Sequence, residues 1–166
     1  MMKIDLEKHK LLILLLAADA AFIVLHVLYT YTGALEISLY SLLRDRGYSE
    51  FFQYTKELWV ALLFLLLRIR HRRGLYGVFS LLFLYFLLDD YLEIHEDLGR
   101  LLSESLRFQP VLGLRAIDLG ELLVSAVFGL LFVVAIALLY GLSDRTARRI
   151  ALHLIVLLAL LAVVGV

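Results

Sequence analysis

The chain has 166 residues, 63% of them hydrophobic, and its 16 basic and 16 acidic side chains balance to a net charge of zero. It is far too apolar for a soluble domain of this size, which places it in the membrane class, and it has no net field to recruit nucleic acid. Cysteine is absent, which excludes disulfides, thiolate metal sites and cysteine nucleophiles.

The first span is expected over residues 11–33, after a start that carries Lys3, Lys8 and Lys10. This apolar run is too long for a signal-peptide core and is followed by no small-residue cleavage pattern, so it reads as a retained span. Asp19, Ile23, His26, Thr30 and Gly33 recur at helical spacing, so the span's one acid and one histidine share a stripe. Taken alone, His26 reads as a packing residue that bonds a neighbouring helix; Asp19 on its face argues for a polar site. Residues 34–50 are too polar to span. With Leu35, Leu39 and Leu42 on one side they predict an interfacial helix ending near Gly47, with Tyr40 and Tyr48 in the headgroup layer.

A second span is expected over 51–67, with Gln53, Lys56 and Glu57 before ten uninterrupted apolar residues. Lys56 and Glu57 read either as partners in a local or interhelical ion pair or as part of a site. Arg68, Arg70, His71, Arg72 and Arg73 then form the most basic stretch, which marks the cytoplasmic side of a membrane. The third span covers 74–96 and runs outward. Residues 98–117 form an outer loop with the chain's one proline, Pro110, and with leucines at 98, 101, 102 and 106 suited to lying on the membrane surface. A fourth span, 119–141, returns to a second basic inner loop, 143–149, and a fifth covers 150–166. Ten of the sixteen lysines and arginines fall in the three inner segments. The expected fold is therefore all-α: a single integral membrane domain over 1–166, a polytopic bundle of about five transmembrane helices with one or two interfacial helices. Its N-terminus lies inside and its C-terminus outside.

The chemistry concentrates in Asp89 to Asp97, DDYLEIHED, at the end of a stretch with no charge from Leu75 to Leu88. A span of ~20 residues has to include these acids, and a carboxylate at depth costs ~2.5 kcal/mol or more, so they face protein, water or a cation. On a straight helix Asp89, Asp90, Glu93, Glu96 and Asp97 share an arc of roughly 120°, whereas His95 points well away from Glu93. His95 joins the acids only if the helix end unwinds or a second helix comes round. At ~1.5 Å per residue from the basic edges, His26 and Asp89 are level, each roughly 24 Å out. Glu57, Asp90, Glu93, Glu96 and Glu121 also fall in the outer half or at the midplane. Asp118, Glu121, Ser125 and Gly129 make a polar-to-small stripe on the fourth span that is expected to line the same space. His153 reads as an interfacial or packing residue, and no part of this constellation depends on the fifth span.

The pattern Asp89-Asp90-x4-His95-Glu96 on a membrane helix after a basic loop resembles a family of uncharacterised prokaryotic multipass membrane proteins with a D-[DE]-x4-H-E signature. The likeness covers about an eighth of the chain and implies a multipass inner-membrane protein, with no activity attached. Asp89-Asp90-x-x-Glu93 also has the form of the acidic box with which prenyl-transferring enzymes hold magnesium and diphosphate, although no good second box accompanies it. Ceramidase-like intramembrane hydrolases are similar in placing histidines and an aspartate around zinc, but only His26 and His95 stand at the right level here.

Two classes of function follow. The acids and histidines act as a proton or cation relay, or as an ionic seam that docks the chain in a larger membrane complex or a homo-oligomer. Alternatively, His26, Asp89, Glu93 and Glu96 hold a divalent metal ion, with Asp19, Glu57, Asp90, His95, Asp118 and Glu121 as further polar-site residues, in an intramembrane enzyme acting on a lipid or isoprenoid. The lipid bilayer is a partner in both readings and nucleic acid in neither.

Overall fold

The computed structural model describes residues 6–111 and 113–164, which form six α-helices and no strand. In chain order these are α1 (Leu6–Thr32), α2 (Tyr48–His71), α3 (Gly74–Leu92), α4 (Ile94–Ser105), α5 (Ala116–Gly141) and α6 (Arg145–Val164), with a 3₁₀ turn at Ser38–Tyr40. The all-helical expectation holds. Three stretches are long and apolar enough to cross a membrane: His9–Thr32, α3 and α5. The chain divides into two compact units, one ending at Lys56 and the other beginning at Glu57.

In the first unit α1 ends at Gly33, whose φ of +64° is the left-handed conformation that terminates a helix. The interfacial helix expected over 34–50 does not form. Only the 3₁₀ turn is helical before α2, because local polar groups compete for the backbone: the Thr32 hydroxyl takes the Ala34 amide and the Ser41 hydroxyl takes the Leu43 amide. The Leu42 amide turns back to donate to Nδ1 of His26 at 3.2 Å. Lys56 on α2 reaches Asp19 on α1 at 2.7 Å and lies over the Phe52 ring, which packs against Phe22. The ion pair of Lys56 is thus interhelical.

The second unit is built round α3, whose Leu75 and Phe79 are almost wholly buried. Phe64 of α2 packs on Phe79 and Tyr76, and the Ser80 hydroxyl donates to the Ala61 carbonyl at 2.8 Å. Ala147 and Ala151, one turn apart on α6, complete this core with Ile136 of α5; side chains this small let helices approach closely in lipid. The last helix is therefore part of the core, a role that its sequence did not announce.

The α2–α3 turn is only Arg72 and Arg73, and Arg73 pairs with Asp144 of the α5–α6 turn at 3.2 Å. Asp144 caps α6 by accepting the Ala147 amide at 2.9 Å. That hydrogen bond chiefly, with Arg73 and His71, holds its carboxyl below the usual range.

Candidate polar site at the break between two helices

The third span was expected to run unbroken to residue 96, but α3 stops at Leu92. Glu93 adopts the left-handed conformation (φ 56°, ψ 37°), donates its amide to the Asp89 carbonyl as a C-cap, and starts α4 in a new direction. A non-glycine residue there costs about 1–2 kcal/mol, so the surrounding contacts have to impose it.

Those contacts centre on Asp89. Its Oδ1 accepts the backbone amide of His95 at 2.9 Å and its Oδ2 lies 3.0 Å from Nδ1 of the same residue. The carboxylate, six residues upstream, therefore satisfies one of the amides that a helix start leaves open, where the helix dipole also favours a negative charge. Asp89 is only 9% exposed. Tyr85, one turn earlier, lies beside Asp89 and stacks on Phe128 of α5 at 4.7 Å. The condition set by helical geometry, that His95 meets the acids only if the helix end breaks, is realised at Glu93.

The direction of α4 is fixed by an unusually close crossing with α5. A Cβ added to Gly120 would stand 2.1 Å from the Gly99 carbonyl oxygen, and one added to Gly99 would stand 2.5 Å from the Glu121 amide nitrogen. The backbones touch because neither residue has a side chain at the contact. Gly99 and Ser103, both buried, lie four residues apart on α4 and form a small-xxx-small pair, a spacing that accompanies close helix crossings but was not read as one in the sequence.

On the other side of Asp89 is a cavity of about 570 Å³ between α3, α5 and α6. Asp89, Asp90 and Ser125 supply its polar lining; the remainder includes Tyr85, Phe86, Phe132, Ile136, Ile155 and Leu158. No Lys, Arg or His is among the lining residues. Ser125 and Gly129 of the expected stripe do line it. Asp118 and Glu121 do not: Asp118 accepts the Arg115 amide at 2.8 Å and pairs with its guanidinium at the start of α5, and Glu121 sits at the crossing with Gly99. The contribution of α6 was missed because its apolar residues look the same in sequence whether they face lipid or a cavity.

The other acids have local roles. Glu96 and Asp97 occupy the first turn of α4, where negative charge suits the dipole, and Asp97 lies 3.6 Å from Arg100. Oε2 of Glu57 is shielded from solvent. In the first unit, His26 and Asp19 make the contacts with Leu42 and Lys56 described above. His153 approaches the Arg149 carbonyl on its own helix. Among the described residues no three His, Asp or Glu side chains converge on a point where they would hold a metal ion.

Comparison with known proteins finds no counterpart: no family model, curated protein or solved structure matches the chain.

Proposed function

We propose that the chain is a multipass protein of a prokaryotic inner membrane in which α2 and α6 cross the bilayer with α1, α3 and α5, and that its Asp89–His95 pair is a proton relay. The five-span map, with the N-terminus inside, is supported by the Arg73–Asp144 pair. It joins the two basic interhelical turns, as their common cytoplasmic location requires.

The observation that carries the functional reading is a carboxylate and an imidazole in direct contact, the carboxylate buried, on the wall of a largely apolar cavity. A charge in such a place is expensive unless paired, whereas a proton moving between Nδ1 and Oδ2 converts an ion pair into a neutral pair without leaving either group bare. Buried acid–histidine chains of this kind mark proton pathways in membrane proteins. Signature-family membership, suggested by Asp89-Asp90-x4-His95-Glu96, would put the same residues at the centre. A metal-dependent enzyme acting on lipid has less support, since Asp89 and His95 together offer two ligands and, among the described residues, no third group joins them to form a metal-holding set.

The test is proton entry into vesicles that carry the reconstituted protein, a trapped pH-sensitive dye and an imposed potassium diffusion potential. Wild-type protein should admit protons faster than empty vesicles, Asp89→Asn should return the rate to background, and His95→Gln should lower it by about tenfold or more. Equal rates for wild type and Asp89→Asn would exclude the relay.

A further inference from the structure

The fold decides which of the basic side chains around the α2–α3 and α5–α6 turns are already neutralised. Residues 68–73 and 143–149 carry seven arginines against one acid, Asp144. Arg73 takes that acid at 3.2 Å, and Arg148 turns back to donate to the Tyr140 and Gly141 carbonyls at 2.9 and 2.7 Å, where the negative end of α5 stabilises it. Arg68, Arg70, Arg72, Arg145 and Arg149 remain, all exposed, and among the described residues none of them is in an ion pair. The Arg73–Asp144 contact gathers them at one end of the second unit, where their summed field attracts an anion from outside the chain. By contrast, Arg100 and Arg115, on and after α4, each have an aspartate of their own, Asp97 and Asp118.

We infer that this surface binds the headgroup of an anionic phospholipid, with Arg68 as its innermost contact. The inference rests on the membrane reading of the second unit and not on the proton relay. Arg68 directly follows the apolar run of residues 58–67, and its stem crosses to α3: a Cβ added to Gly77 would stand 3.4 Å from Cδ of Arg68. The hydrocarbon part of the side chain thus lies along the helices while the guanidinium sits at the edge of the apolar surface, as a snorkelling arginine does. Leu66, Ile69 and Leu142 are exposed beside these arginines. A free phosphate would meet the charges and leave those apolar side chains in water. A phospholipid covers both, with its phosphate on the paired N–H donors of the guanidiniums and its acyl chains on the leucines and the isoleucine. Arg72 points the same way. It has φ +52°, a conformation that glycine adopts without strain, so a charged side chain stands there against the backbone preference. Each arginine close to an anionic bilayer surface strengthens association by about fivefold.

The experiment measures equilibrium binding of tail-labelled phosphatidylglycerol to the full chain in a neutral detergent. Phosphatidylcholine with the same acyl chains is the control lipid, and glycerol phosphate is the soluble competitor. Saturable binding of phosphatidylglycerol is expected, tighter than that of phosphatidylcholine by about tenfold or more and undisturbed by glycerol phosphate. Arg72→Gly removes one charge and relieves the backbone, so this variant should fold at least as well as wild type and bind about fivefold more weakly. Arg68→Gln should weaken binding by at least as much. Arg107→Gly is the matched control, since Arg107 also has φ +52° but follows α4, beyond the other end of α3; its binding should equal that of wild type. Equal binding of the two lipids, displacement by glycerol phosphate, or the same loss in Arg72→Gly and Arg107→Gly would overturn the inference. Flotation of the chain with phosphatidylcholine vesicles tests the membrane reading separately. Protein that does not float would remove that reading, whereas floating protein with no preference for phosphatidylglycerol would remove this inference alone.

Discussion

Asp89 holds His95 twice, through the backbone amide at 2.9 Å and the ring nitrogen at 3.0 Å, so one carboxylate both starts α4 and orients the imidazole. Asp89→Ala removes both contacts and should lower stability by about 1–2 kcal/mol, the usual worth of an N-terminal cap. Asp89→Asn keeps an oxygen for the amide and should lose clearly less. Thermal unfolding in one detergent measures both, and equal losses would mean that the cap is not what Asp89 contributes.

Glu93 adopts a left-handed conformation that glycine occupies without steric penalty. Glu93→Gly should therefore raise stability, or leave it unchanged, by up to about 1 kcal/mol. In an unbroken helix the same substitution would destabilise by about 1 kcal/mol, so the sign of the shift in unfolding temperature reads the backbone at this residue directly.

Gly120 and Gly129 belong to the same helix and should respond in opposite ways. Alanine at 120 meets the Gly99 carbonyl and forces α4 away, which should cost about 2 kcal/mol or more and slow proton entry by disturbing His95. Alanine at 129 enters open space and should be neutral or stabilising by about 1 kcal/mol from helix propensity alone. Matching effects at the two sites would contradict the α4–α5 crossing.

Asp144 supplies a pH dependence whose sign is fixed. Its folded carboxyl is held below 3.8, so its contribution is present above that pH and is lost as the pH falls through the lower folded value. Asp144→Asn retains a capping oxygen but no charge. The unfolding-temperature gap between wild type and this variant should narrow as the pH is taken from about 6 to about 3. A gap that widens on acidification would reverse the assignment.

The five-span map predicts that a cysteine at Ser105 is labelled by an impermeant reagent from outside intact cells and that one at Thr146 is not, both positions being exposed. Opposite labelling would invert the orientation and carry the Asp89 cluster to the cytoplasmic half.

Much of the helical pattern was legible because apolar runs and basic turns leave a periodic and compositional trace. The acidic segment was legible as a site because five carboxylates at the end of an uncharged stretch are expensive wherever they lie. The loop over 34–47 was not, since Leu35, Leu39 and Leu42 keep helical spacing while the side chains of Thr32, Ser41 and His26 capture amides that a helix would need. Asp118 and Glu121 were grouped with Asp89 by spacing and level. Depth along a helix says nothing about which neighbour a side chain meets.

By itself the sequence determined that the chain is helical, with apolar stretches long enough to cross a membrane, and that Asp89, Asp90 and the acids after them stand in a costly place, because helix periodicity and the price of buried charge are local properties. Only the tertiary structure decided that the helix breaks at Glu93 and that Gly99 and Gly120 bring two backbones into contact. It also decided that α6 helps to close a cavity on Asp89 and Asp90. A left-handed residue and a backbone contact are imposed by groups distant in the chain, and an apolar side chain carries no mark of whether it faces lipid, core or an open cavity.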